Sequence, residues 1–122
     1  MTKALLVEDD PRILDSVKDI VDSLGHDFDG ASSQDEARQL IESQEYDYVL
    51  LDLEIPVKLG RNAPRIQTGM NLLAELNDKY GKQVPVIVTT GHGTDSPHIC
   101  RECMKSGAVD FVPKPFPDSG MT

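Results

Sequence analysis

Short apolar runs alternate with longer amphipathic runs along the chain, and this alternation restricts the fold more than any other feature. Ala4 to Val7, Tyr48 to Leu51, Val84 to Thr89 and Ala108 to Val112 are strand-length and largely apolar, as parallel strands covered on both faces are. Phe28 to Ala31 is a weaker strand between the first two. Asp10-Pro11 opens a helix with an acidic cap and a proline at the first helical position. Ile13, Leu14, Val17, Ile20, Val21 and Leu24 then recur at helical spacing until Gly25 stops the pattern. Ser33-Gln34-Asp35-Glu36 has the form of a capping box before Ala37, Leu40 and Ile41. A third helix is expected over Gly69 to Tyr80, with Leu72, Leu73, Leu76 and Tyr80 on one side. A fourth spans Asp95 to Ser106, started by Ser96-Pro97 and closed by Gly107. From Leu53 to Thr68 no period persists, and Pro56, Gly60, Asn62 and Pro64 make the stretch a loop. Five strands alternating with four helices predict an α/β domain with a doubly wound parallel sheet.

At 122 residues the chain has room for one domain, and 12 basic against 21 acidic side chains give it a net charge of −9. That surplus argues against direct binding to nucleic acid or to an anionic membrane, both of which need a basic face. It leaves a divalent cation open. No window approaches a membrane helix, and only four apolar residues separate Lys3 from Glu8, too few for the core of a signal peptide. A cytoplasmic location is the expectation. Cys100 and Cys103 stand at CxxC spacing without a second pair, so they read as packing thiols on a helix rather than half a zinc site.

In a doubly wound sheet, ligands bind beyond the carboxyl ends of the strands. Glu8, Asp9 and Asp10 follow the first strand, Asp52 the third, Thr90 the fourth and Lys114 the fifth. If Glu8, Asp9 and Asp52 meet within about 4 to 5 Å, each like-charged pair costs about 4 kcal/mol at an effective dielectric near 20. Either a proton or a cation must relieve the cluster, and oxygen-only ligands suit Mg²⁺, or Mn²⁺. A carboxylate in such a site can attack phosphorus, while Lys114 holds phosphoryl charge and Thr90 donates a hydrogen bond to it.

Four segments then carry a specific resemblance: Leu5-Leu6-Val7-Glu8-Asp9-Asp10-Pro11, Val49 to Pro56 around Asp52, Val86-Ile87-Val88-Thr89-Thr90-Gly91, and Phe111-Val112-Pro113-Lys114-Pro115-Phe116. In this order they resemble the receiver domain of two-component response regulators, across residues 1–122. The Thr90-Gly91-His92-Gly93 run is most similar to receivers of nitrogen-regulatory activators. The resemblance implies a flavodoxin-like fold with strand order 2-1-3-4-5 and Asp52 as phosphoacceptor. Glu8, Asp9, Asp52 and the backbone carbonyl of Glu54 would hold Mg²⁺ or Mn²⁺. Thr90 and Lys114 would contact the phosphoryl group, Thr90 and Phe111 would form the switch, and His92 would modulate phosphoryl lifetime. It implies a cis Lys114-Pro115 bond, a sensor histidine kinase or phosphotransfer protein as donor, and an output domain beyond Thr122. Such a receiver catalyses its own phosphorylation and dephosphorylation but is not a multiple-turnover metabolic enzyme. Dimerisation is left open.

Two departures accompany the resemblance. Relative to the family pattern about nine residues are inserted after Pro56, giving a loop over about 57–68 with Lys58, Arg61 and Arg65 and no acid. That local +3 either covers the site or meets the donor, or it is a solvated insertion of small entropic cost. After Phe116 the chain runs out before a fifth helix, which is expected in a longer regulator. Plainer roles compete at several positions: Asp10 as a helix cap, Thr89 and Phe111 as packing residues, His26, His92 and His98 as surface residues. Haloacid-dehalogenase-like phosphatases also use an aspartate, a threonine and a lysine, but they place the nucleophile on the first strand and want an aspartate at Glu54. A flavin phosphate would be repelled by Glu8, Asp9 and Asp10. A degenerate receiver serving only as an interaction module would be missing a site residue, and none is missing here.

Overall fold

The structure, a computed structural model, describes residues 1–91 and 97–113, with the backbone alone at Thr90 and Pro113. Its elements run β1 (Lys3–Val7), α1 (Pro11–Ser23), β2 (Asp27–Ala31), α2 (Gln34–Ser43), β3 (Tyr48–Asp52), α3 (Ile66–Tyr80), β4 (Val86–Thr90), α4 (Pro97–Lys105) and β5 (Asp110–Pro113). All four strand pairings are parallel, in the order β2-β1-β3-β4-β5. This is the flavodoxin-like arrangement, with the order reversing between β1 and β3.

Alternation along the strands divides the core in two. Leu5, Val7, Val49, Leu51, Val86 and Val88 join Ala37, Ile41, Leu72, Leu73, Leu76 and Cys103 beneath α2, α3 and α4. Ala4 and Leu6 meet Ile13, Val17 and Val21 of α1 on the opposite face. Each fully buried leucine contributes about 2 kcal/mol from its transfer out of water. The helix starts behave as local chemistry requires. Asp10 accepts the Arg12 amide at 2.9 Å, and that bond holds its carboxyl below the usual range. Ser33 Oγ accepts the Glu36 amide, while the Glu36 carboxylate reaches back to the Ser32 amide at 2.7 Å. After α1, Gly25 adopts φ +78°, a conformation that side chains other than glycine resist.

The third helix differs from the expectation. It begins at Ile66 rather than Gly69, so the last three residues of the expected 57–68 loop are helical. Its N-cap, Arg65, makes no side-chain capping bond, which removes the usual signal. The remaining loop is well tied. Arg65 pairs with Ile55 in an antiparallel bridge, and the carbonyls of Pro56 and Val57 accept the Gln34 and Asp35 amides of α2 at 2.9 and 3.0 Å. A turn at Lys58 to Asn62 closes through the Arg61 and Asn62 amides on the Lys58 carbonyl. Lys58 to Arg65 are all exposed, with Leu59 61% accessible. Lys58 pairs with Asp35 at 3.6 Å.

Candidate functional site

Register brings the acids together. Val7 pairs with Leu51, so Glu8, one residue on, stands beside Asp52, the last residue of β3. Asp52 in turn pairs with Thr89 of β4. Glu8, Asp9 and Asp52 each offer a carboxylate oxygen within 4.8 Å of the others. Glu8 and Asp52 are buried and Asp9 is half-buried, which leaves one open side. Local amides orient two of the three: Asp10 N–H donates to Glu8 Oε2 at 3.0 Å, and Glu54 N–H donates to Asp52 Oδ1 at 3.2 Å.

Three carboxylates this close repel one another by about 4 kcal/mol per pair at an effective dielectric near 20, and their donor set is all oxygen. That combination fits a hard divalent cation such as Mg²⁺, which takes one or two carboxylates, waters and a phosphate oxygen. Glu54, two residues past Asp52, is exposed between the buried Leu53 and Ile55, and its N–H bond to Asp52 brings its main chain close to that carboxylate.

The other expected site residues lie on β4, on β5, in the loop before α3 and outside the described residues. Thr90 ends β4, in register with Pro113 of β5. Phe111 sits in β5 opposite Val88, half-buried and packed against the main core. His92, Lys114 and the Lys114-Pro115 bond lie outside the described residues. Among the basic loop residues, Arg61 and Arg65 form no ion pair with any described residue, while Lys58 is engaged by Asp35.

Plainer roles are also resolved. Asp10 caps α1, and Thr89 is buried. His98 is exposed, but His26 is half-buried, with Nδ1 2.7 Å from the Tyr48 hydroxyl and the rings edge to face. Cys100 and Cys103 are free thiols; Cys103 is fully buried against Met70 Sδ at 3.6 Å, and burial pushes its pKa up to about 11. That is the environment of an inert thiol.

Two residues near the site were not singled out from the sequence for it. Gln34 buries its amide and donates from Nε2 to the Thr68 carbonyl at 3.0 Å. Gly69 lies so close to the residue that follows β3 that a Cβ there would stand 2.1 Å from the Leu53 carbonyl oxygen. The capping-box position hides the first, and the glycine reads locally as a helix start rather than a packing contact.

The comparisons with known proteins agree with this geometry. Residues 4–122 match the response regulator receiver domain family. The chain is 34% identical over 123 aligned residues to the C4-dicarboxylate transport transcriptional regulatory protein DctD of Pseudomonas aeruginosa, covering 98% of this chain and 23% of that protein. It is 30% identical to the transcriptional regulatory protein CpxR of Escherichia coli, covering 97% and 45% respectively. The chain thus spans less than half the length of these relatives. Among solved structures, the receiver domain of Francisella response regulator 1452 superposes with a TM-score of 0.77 at 29% identity, over 95% of this chain and 86% of that one. A CheY-like receiver domain protein from Methanospirillum hungatei gives 0.77 at 26%, over 95% and 83%. With the strand order, the acid cluster and the match over nearly its whole length in agreement, this chain belongs to the response regulator receiver domain family.

Proposed function

We propose that Asp52 accepts a phosphoryl group from a sensor histidine kinase or phosphotransfer protein, and that Glu8, Asp9, Asp52 and the Glu54 carbonyl hold the Mg²⁺ or Mn²⁺ the transfer requires. The observation that carries this reading is the convergence of three carboxylates within 4.8 Å at the carboxyl ends of β1 and β3. A bound divalent cation supplies positive charge where the carboxylates and the incoming phosphoryl oxygens would otherwise repel. An Asp52 oxygen attacks phosphorus in line as the bond from phosphorus to the donor imidazole breaks, and the departing imidazole takes up a proton. The Glu54 amide orients the nucleophile from the Oδ1 side.

Thr90, at the end of β4, and Lys114, after β5, stabilise the charge on the transferred group, with His92 tuning its lifetime. Phe111 couples the site to the surface: its half-buried ring on β5 turns inward as Thr90 moves toward phosphate. The same chemistry run with water returns Asp52 to its free state, so the domain is a timed switch rather than a metabolic enzyme. Residues 1–122 form one receiver domain, cytoplasmic, joined in a longer regulator to a fifth helix and an output domain beyond Thr122. The described helices include none long and apolar enough to cross a membrane.

Incubation with Mg²⁺ and acetyl phosphate tests the reading. The wild-type chain gains one alkali-labile phosphate that Asp52→Asn lacks; labelling that survives the substitution overturns the assignment of Asp52.

A further inference from the structure

The four residues after Asp52 are gripped from two sides. Gly69 of α3 rests on Leu53, where a Cβ would meet the Leu53 carbonyl oxygen at 2.1 Å and its Cα at 2.3 Å. At the other end, the Gln34 and Asp35 amides of α2 hold the carbonyls of Pro56 and Val57. Leu53, Ile55 and Pro56 are buried, and Ile55 also pairs with Arg65. Glu54 alone of this segment is exposed.

One residue joins the two grips. Gln34 is only 4% exposed, and an amide buried that deeply must be hydrogen-bonded to be tolerated. Its Nε2 donates at 3.0 Å to the carbonyl of Thr68 in the first turn of α3, one residue before Gly69, while its backbone N–H donates at 2.9 Å to the Pro56 carbonyl. A single residue therefore links the start of α2, the far end of the Leu53 to Pro56 segment and the turn of α3 that presses on its near end.

We propose that Gln34 is a positioning residue for the metal site: its two bonds fix the Leu53 to Pro56 segment, and so set where the Glu54 carbonyl stands relative to Asp52. The inference rests on the reading of that carbonyl as a metal ligand. Mg²⁺ demands near-octahedral geometry at about 2.0 to 2.1 Å, so displacement of one ligand by a few tenths of an ångström weakens binding. Groups that orient ligands without touching the metal typically matter by about 10- to 100-fold in affinity, and a tie two bonds removed is expected at the low end of that range.

The test is calorimetric titration of the unphosphorylated chain with Mg²⁺ alone. Gln34→Leu keeps the side-chain volume but loses the donor, and it raises the Mg²⁺ Kd by about 10-fold. Gln34→Met keeps the length, adds no charge and likewise gives up the donor; it carries the same expectation should the leucine variant not fold. Ile41→Val, on the same helix in the core, lowers Tm while leaving the Kd at its wild-type value. The amide resonances of Glu54 and Ile55 shift in the Gln34 variants before any metal is added and stay in place in Ile41→Val. A Kd within twofold of wild type in the folded Gln34 variants overturns the inference and makes Gln34 a stability residue only. A wild-type chain that takes up no Mg²⁺ ends the metal reading itself, and this inference with it.

Discussion

Around Lys3, which opens β1, acids meet bases and hydroxyls: Asp29, midway along β2, lies 3.1 Å from Lys3 Nζ and accepts the Tyr46 hydroxyl at 2.7 Å, while Asp47 accepts the Lys3 amide at 2.7 Å. At the carboxyl ends, Glu8, Asp9 and Asp52 face one another within 4.8 Å. Both ends belong to the same parallel sheet. The first arrangement lowers the energy of the folded chain, whereas the second raises it by about 4 kcal/mol per close pair in the absence of a counter-charge. A cation bound at the carboxyl ends, as proposed above, would relieve that repulsion, so the two ends differ in what a ligand can add to stability.

The largest effect expected at the carboxyl end comes from backbone packing rather than charge. Gly69→Ala forces a Cβ against the main chain of Leu53 and costs about 3 kcal/mol in urea unfolding, the upper end for overpacking. A loss below about 1 kcal/mol would mean that α3 withdraws from β3 easily and that the segment after Asp52 is not firmly held.

Metal linkage is the next largest. Mg²⁺ at about a hundredfold above its Kd adds about 2.7 kcal/mol to wild-type stability, read as a rise in Tm. In Asp52→Asn a hundredfold loss of affinity leaves about 0.4 kcal/mol at the same Mg²⁺ concentration. Substitutions at the amino end leave the increment whole. If Tyr46→Phe abolished it, the two ends would not be separable.

Much of this division is legible in the residues because it is local. Asp10-Pro11 and Ser33 to Glu36 announce helix starts by their own hydrogen-bonding capacity, and the strand-end position of Glu8 and Asp52 follows from the apolar runs that precede them. The first turn of α3 escapes because Arg65 gives no capping signal, although Ile66, Met70 and Leu73 recur at spacings of four and three, continuing an apolar face. Gln34 and His26 escape for a different reason: their partners lie 34 and 22 residues away, and no local pattern encodes which distant carbonyl or hydroxyl a side chain will meet.

At the amino end, Tyr46→Phe removes the hydroxyl bond to Asp29 and costs about 1 kcal/mol at neutral pH, discounted for the partial exposure of the carboxylate. Burial pushes the Asp29 pKa up, but the bonds from Tyr46 and Lys3 outweigh it and leave the group below its ordinary value. A carboxylate depressed in the folded state stabilises above its unfolded pKa, and that contribution disappears as pH falls through the folded value. The difference between wild type and Tyr46→Phe is therefore constant from pH 7 to about 5 and shrinks below about pH 4. A gap that stays unchanged to pH 2 would assign the hydroxyl to packing instead.

The smallest effect sharpens how α2 is held to α3. Among the described residues, two side-chain hydrogen-bonded connections run between these helices: the buried Gln34 amide at the site end, and the exposed pair in which Arg38 Nε and Nη2 grip the Glu75 carboxylate at 2.9 and 2.5 Å. Both partners of the second are more than 40% exposed, so solvent screens them and two long side chains must be ordered to make the contact. A double-mutant cycle of Arg38→Ala and Glu75→Ala is expected to give a coupling of about 0.5 kcal/mol that fades at about 0.5 M salt, with no change in Mg²⁺ affinity. If that cycle instead moved the Mg²⁺ Kd, the position of α2 as a whole, rather than the Gln34 tie, would govern the metal site.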